Sequence, residues 1–194
     1  MEFQDVVRRR RMVRKFTDEP VSPESLQRIL RNAHRGPSAG FSQGQAFLVL
    51  QGEDLHEFWE FGAQWSVESV TTAPLVIIPL AVKQHYLDRY ARADKGWTDK
   101  SESHWPVPFW HIDTGMAVLL ILQTAVDEGL GALYYGLGPA ATTRLRTDFG
   151  VPETHEPIGA IAIGHSDEPE ISPDASPRRI ARRDQSETVR YGRW

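Results

Sequence analysis

Arginine is the residue type that this sequence concentrates most. Arg8-Arg9-Arg10-Arg11-Met12-Val13-Arg14-Lys15-Phe16 lies near one end, and Arg178, Arg179, Arg182 and Arg183 lie near the other. The guanidinium is planar and always charged, and it grips phosphate through paired N–H donors. Two such clusters meeting in one fold would hold a phosphorylated ligand in a fixed position. Taken alone, an arginine run is also the pattern of a solvated helix face. A compact turn, Pro37-Ser38-Ala39-Gly40-Phe41-Ser42-Gln43, follows the first cluster. Further on, Gly136-Leu137-Gly138 follows an apolar segment and precedes Pro139. Glycines there would let the backbone approach a flat ligand closely.

Other chemistry-bearing patterns have the wrong surroundings. Gly40-Phe41-Ser42-Gln43-Gly44 matches the G-x-S-x-G elbow of serine hydrolases. That elbow needs a strand before it and a helix after it, and here the order is reversed. Gly136-Leu137-Gly138-Pro139-Ala140-Ala141 matches G-x-G-x-x-A, but it comes late in the chain. The acidic residue that a dinucleotide site needs about 20 positions on would fall in an apolar stretch. His111 and Asp113 form a tight His/carboxylate pair. At a helix start, Asp113 reads as a dipole or capping partner rather than a metal ligand. No metal site and no paired catalytic carboxylates are expected.

The secondary structure around these residues follows from local sequence signals. Residues 2–11 read as a short helix that leads into an extended segment at 13–16. Ser22-Pro23-Glu24 is a helix start with Ser at the N-cap and Pro at N1. Apolar spacing carries that helix to about Arg35. Strands are expected at 46–51, 74–82, 132–135 and 157–164, with helices at 54–64, 86–94, 109–128 and 139–149. Pro79 inside the second strand predicts an edge or a bulge. The 109–128 helix is apolar nearly all round between Met116 and Leu122, so it is expected to be buried on most sides and to need a second subunit. Residues 84–110 are the least regular part and carry Trp97, Trp105 and Trp110. They read either as a lid or wall over a flat ligand or as a satellite hydrophobic cluster. Residues from about 166 to 194 read as a tail that wraps over a surface.

Bulk properties narrow the classes. The 194 residues fit one domain, and 40% are apolar, enough for a substantial core. The net charge is −4; with +6 on residues 8–15 and +4 on residues 178–194, the body carries about −14. A basic face over much of the domain, as nucleic-acid binding requires, is therefore not expected. There is no cysteine, which removes disulfides, thiolate catalysis and Cys-zinc sites. The N-terminus lacks an apolar signal region, and the longest apolar stretch, Ala117 to Leu122, is far short of the ~20 residues that span a bilayer. A cytoplasmic protein without membrane partners is the expectation.

Taken in order, these segments resemble the FMN-dependent nitroreductase family. Its Arg-Arg-Ser-x-Arg-x-Phe pattern is matched by Arg10-Arg11-Met12-Val13-Arg14-Lys15-Phe16. Its Pro-Ser-Ser-x-Asn-x-Gln-Pro-Trp-x-Phe pattern is matched by Pro37 to Phe47. Its long central helix ending in Gly-Leu-Gly is matched by Gly129-Leu130-Gly131, and its basic pair and aromatic tail by Arg182-Arg183 and Val189 to Trp194. The resemblance covers essentially the whole chain. It implies an α+β fold, a mostly antiparallel central sheet flanked by helices, in an intertwined homodimer with two FMN sites. Arg10, Arg11, the Met12 backbone, Arg14, Arg182 and Arg183 would hold the phosphate. Pro37, Ser38 and Ala39 from the partner subunit would meet the isoalloxazine edge, and Gln43 the ribityl or pyrimidine side. The Gly136, Leu137 and Gly138 backbone would lie beside the ring, with the Gly138 N–H a donor to it.

The departures are specific. Met12 replaces Ser, Phe41 replaces Asn, and Gly44-Gln45 replaces Pro-Trp. Residues 52–72 contain no Lys or Arg, where the family often has a cation beside the flavin pyrimidine. The expected activity is hydride transfer from NADH or NADPH through FMN to a flat, electron-poor small molecule, with no side chain acting as a chemical catalyst. The alternatives are a protein that binds FMN without useful turnover and a specialised flavin reaction on the same fold.

Overall fold

The computed structural model describes residues 1–168 and 180–194. Arg178 and Arg179 lie outside the described residues. The centre is a sheet with strand order β1 (Gln45–Leu50), β2 (Leu75–Ala81), β5 (Ala160–Gly164), β3 (Gly131–Tyr135), all antiparallel. A two-residue strand β4 (Glu156–Pro157) also pairs with β2.

The two inner strands are apolar throughout because both sheet faces are covered. On one face Val76, Ile78, Leu80, Ala160 and Ala162 pack with Leu55 and Phe58 of α3 (Gly52–Trp59) and Leu145 of α6 (Pro139–Thr147). On the other, Leu75, Ile77, Ile161 and Ile163 pack with Ile29 and Ala33 of α2 (Pro23–Ala33) and with Val118, Ile121 and Leu122 of α5 (Phe109–Asp127). Small alanines on β5 face the large aromatics of α3, and isoleucines face the aliphatic pair α2–α5. Period-two alternation thus hides inside a continuous apolar run.

Pro79 lies on an interior strand, not an edge. The Val82 N–H bonds to the Gly44 carbonyl at 2.8 Å, which sets the register with Phe47 opposite Pro79. Pro79 thereby turns its missing N–H away from β1, toward β4 and β5. There the pairing slips by one residue, from Leu80↔Pro157 to Ile77↔Ile161. The extra residue is a bulge at Ile158–Gly159, and the Pro79 carbonyl accepts from the Ile158 N–H at 3.1 Å. The sequence signal for a bulge was correct, but the bulge is on the neighbouring strand.

α2 starts as expected, with Ser22 Oγ accepting from the Ser25 N–H at 3.1 Å. The helix expected at 86–94 is α4 (Lys83–Tyr90). α5 ends at Gly129, where the Leu130 N–H reaches back to the Ala125 carbonyl at 2.7 Å. α5 is long and apolar enough to cross a membrane by length and composition, with 50% of that window buried inside the body. Its burial is one-sided rather than all round: Ile112 and Leu119 are 43% and 47% exposed. Near the start of α1 (Phe3–Arg9), Met1, Phe3 and Val7 are also exposed.

Gly44 has a packing reason. A Cβ there would stand 2.2 Å from Tyr86 Cε2 and 2.9 Å from the Val82 carbonyl oxygen. The Tyr86 ring fills the space that the family's proline would occupy. Gly44→Ala is expected to cost about 1–3 kcal/mol by overpacking, measured as a lowered thermal midpoint.

Candidate functional site

Three groups of residues carry the site, each fixed by its own anchors. The first is the basic limb that follows α1. Val13 and Phe16 are both 3% exposed and pin it to the core. Its backbone is tied on both sides. The Val13 N–H donates to the Ala132 carbonyl at 3.0 Å, the Phe16 N–H to Thr72 Oγ1 at 2.8 Å, and the Thr17 N–H to the His165 carbonyl at 2.9 Å. Ser69 Oγ donates to the Arg14 carbonyl at 2.9 Å. Met12 bridges to Ala132, so its backbone lies along β3.

The arginines on this limb are not equivalent. Arg11 Nη1 meets Glu168 Oε2 at 2.8 Å and Arg11 Nη2 meets Ser166 Oγ at 3.2 Å, so its charge is largely compensated. Glu168 also accepts from the Arg14 N–H at 2.5 Å, which orders the limb. Among the described residues the guanidinium groups of Arg10 and Arg14 meet no carboxylate, and the Arg14 side chain, whose Nη1 donates to the Met12 carbonyl at 3.3 Å, is exposed. Lys15 pairs with Asp167 at 2.6 Å. The second expected cluster does not join them among the described residues. Every residue from Ile180 to Trp194 is exposed, with Tyr191 and Trp194 at 91% each. Arg182 sits there, and among the described residues Arg183 reaches only Glu187, at 3.4 Å. The 180–194 segment does not wrap over the body of its own chain.

The second group is the turn Pro37–Gln43. Asp113, on α5 and 3% exposed, accepts from the Ala39 N–H and from the Tyr86 hydroxyl, both at 2.8 Å. It is a cross-link between α5, α4 and the turn, rather than a helix cap. Burial, then the hydrogen bond to Asp113, pushes the Tyr86 phenol far up, so it stays a neutral donor. His111 pairs instead with Glu156 at 2.8 Å. Within the turn, Ser38 Oγ accepts from the Gln43 N–H at 2.9 Å and Ser42 Oγ donates to the Ala39 carbonyl at 2.6 Å. Ser42 is therefore a structural hydroxyl. Arg89 Nε donates to the Gly40 carbonyl at 2.8 Å from outside. Phe41 and Gln43 sit at φ 56° and 51°, left-handed values that side chains adopt rarely. The network holds them there and leaves Phe41 74% exposed. A shallow depression of about 390 Å³ beside them is lined by Gln43, His85, Asp88, Arg89 and Arg92.

The expected aromatic wall stands on this turn. A Cβ on Gly40 would touch Tyr90 at 2.6 Å, and Trp97 and Trp105 lie against Tyr90 with centroids 4.7 and 4.5 Å away. Trp105 also meets Tyr86, Phe109 and Trp110 at 5.9, 5.8 and 6.1 Å. Trp110 is 7% exposed and belongs to the core, whereas Trp97 and Trp105 are half-buried.

The third group is Gly136-Leu137-Gly138 at the end of β3, where the side chain of Trp65 covers the glycines. Gly138 would place a Cβ 3.1 Å from Trp65 Nε1 and Cε2, and Gly136 would place one 3.4 Å from Cε3. Sequence reading singled out the glycines but not Trp65. Its one signal was a large aromatic in a polar turn, beside the missing cations.

The limb bonds to Ala132 near the start of β3 and the glycines follow its end, about 13 Å apart at ~3.3 Å per residue. The turn precedes β1 at the opposite sheet edge, three strand spacings or about 14 Å away. The limb and the glycines thus share β3, whereas the turn leads into β1 at the other edge of the sheet. The donor set fits a flavin mononucleotide: guanidinium groups at one end of β3, and at the other the backbone of Gly136 and Gly138, over which a flat aromatic ring already lies.

The Nitroreductase family model matches residues 7–165. A protein of Methanothermobacter thermautotrophicus, named for NADH dehydrogenase/NAD(P)H nitroreductase activity by inference, is 29% identical over 171 residues, spanning 85% of this chain and 78% of that protein. A nitroreductase family protein from Clostridium difficile 630 superposes with a TM-score of 0.74 at 23% identity, covering 100% of both chains. A protein of Exiguobacterium sibiricum 255-15, a nitroreductase by inference solved in complex with FMN, superposes at 0.76 with 17% identity, covering 98% of this chain and 97% of that one.

Proposed function

Because this chain belongs to the Nitroreductase family, we propose that it is an FMN-dependent NAD(P)H oxidoreductase acting on a flat, electron-poor small molecule such as a nitroaromatic or a quinone. The observation that carries this reading is the spacing along β3, with guanidinium groups near one end and bare glycine backbone at the other. Bound there, FMN would supply the hydride and electron transfer between NAD(P)H and the acceptor, with solvent able to provide protons. The chain's own residues bind and orient. Arg10 and Arg14 hold the phosphate as charged donors, while Arg11 braces the limb through Glu168. The Met12 backbone lies alongside them, and Arg182 and Arg183, which do not reach the limb of their own chain among the described residues, add charge only at a partner's site. Gly136, Leu137 and Gly138 offer backbone to the ring, with the Gly138 N–H as donor.

A second copy completes the site. The Pro37–Gln43 turn leads into β1, three strand spacings or about 14 Å across the sheet from β3, and this separation supports placing Pro37, Ser38, Ala39 and Gln43 against a ring held by a partner. Trp97 and Trp105 travel with that turn and form the substrate wall across the interface. The exposed stripe Ile112–Leu119 on α5 and the exposed Tyr191 and Trp194 are the surfaces that a partner covers. Light scattering at micromolar concentration is expected to give a dimer. A monodisperse folded monomer would remove the shared site.

One observation favours a second reading, an FMN-binding protein without useful turnover. Residues 52–72 hold no Lys or Arg, and Trp65 rather than a cation faces the glycines. The absorption spectrum of purified protein separates the two. Yellow protein that bleaches anaerobically on adding NADH or NADPH supports the oxidoreductase. Yellow protein that stays oxidised supports the second reading. Colourless protein that takes up no added FMN overturns both.

A further inference from the structure

We propose that Trp65 gates the ring seat: its indole holds the surface of Gly136 and Gly138 that a flat ligand must use, and binding displaces it. The inference rests on the reading above that those glycines meet the flavin ring. Gly138 has φ −72° and ψ 163°, a conformation open to any residue. Its glycine is therefore required by space rather than by backbone geometry, and the space is the side on which a Cβ would project. A ring that exploits the missing Cβ arrives on that side. Trp65 is already there, 3.1 Å from the Cβ position of Gly138 and 3.4 Å from that of Gly136. Indole and incoming ring cannot share the same backbone face.

Trp65 is built to move. It is 64% exposed, in the turn that follows α3. The base of that turn is fixed, since Phe58 and Phe61 are 0% and 4% exposed and pack edge to face at 5.3 Å. Among the described residues the indole N–H has no hydrogen-bond partner, so leaving breaks no polar contact. A flat side chain on this seat also disfavours ligands that present only a phosphate or a small polar head, because those cannot replace the indole's contact with the backbone.

Trp65→Ala and Trp65→Phe, with thermal unfolding to check the fold, test the proposal alongside the wild type. FMN and riboflavin binding are followed by flavin fluorescence in equilibrium and stopped-flow modes. Removing a side chain that competes for the site is expected to tighten both ligands in Trp65→Ala by roughly 3- to 10-fold. The gain should be in the association rate, with dissociation unchanged, and Trp65→Phe should fall between. In fluorotryptophan-labelled wild-type protein, the Trp65 resonance, assigned by its loss in Trp65→Phe, is expected to shift toward its solvent-exposed position when FMN is added. Weaker binding in Trp65→Ala would make the indole a stacking partner of the bound ring and overturn the gate. Unchanged binding with an unmoved resonance would make it a bystander and also overturn it. A wild type that binds no FMN sinks the functional reading itself, a result distinct from either.

Discussion

Arg10→Ala and Arg14→Ala are each expected to weaken FMN binding by about 1.5–3 kcal/mol, the range for hydrogen bonds to charged groups. That corresponds to roughly 10- to 150-fold in Kd. Riboflavin shares the ring and ribityl chain but has no phosphate, so its affinity should hardly change. Arg11→Ala should differ in kind. Its guanidinium is already engaged by Glu168 and Ser166, so its loss should loosen the limb and lower FMN and riboflavin affinity together. Titrations of both ligands against the three variants decide the matter. Equal losses for FMN and riboflavin in Arg10→Ala and Arg14→Ala would make those arginines structural and withdraw the phosphate site. Binding of FMN, but not of riboflavin, should also weaken as ionic strength rises.

Asp113→Ala should produce the largest loss of stability at the site. It orphans two donors, the part-buried Ala39 N–H and the buried Tyr86 hydroxyl. Each is expected to cost about 1–3 kcal/mol, at about 2–4 °C of thermal midpoint per kcal/mol for a chain of this size. Tyr86→Phe removes one of the two bonds while keeping the ring against Gly44, so it should cost less. The turn should respond as well as the melt. With Asp113 gone, amide exchange at Ala39 should accelerate, and the left-handed Phe41 and Gln43 lose the bond that fixes the start of their turn. An unchanged melting temperature would mean that the cost of burying the carboxylate cancels both bonds, as happens for some buried charges.

Much of this was legible in the chain itself, and the reason is local. Ser22 and Pro23 start a helix by chemistry that needs no partner, and Gly129 stops another. The apolar runs at 75–81 and 160–164 are strands buried on two faces, which composition conveys without a template. Limb, turn and glycines appear in the family's order and with its residue types, so the family and its α+β fold could be read before any geometry.

Tertiary structure decided what depends on distance between segments far apart in the chain. Pro79 announced a bulge, but only pairing across the sheet put the extra residue at Ile158–Gly159. Arg11 looks like its neighbours in sequence; only the approach of Glu168 sets it apart from Arg10 and Arg14. Asp113 read as a helix-start acid because its partners, Ala39 and Tyr86, are 74 and 27 residues away. Gly44 departs from the family's proline because a tyrosine ring 42 positions on occupies the space. Trp65 had no pattern at all: an exposed aromatic becomes informative only when the backbone beneath it proves to be Gly136 and Gly138. Residue type and spacing determine which local structures can form and what chemistry they can carry. Which charges remain available, and what rests on the ring seat, is decided by long-range packing, because those contacts exist only once the sheet has closed.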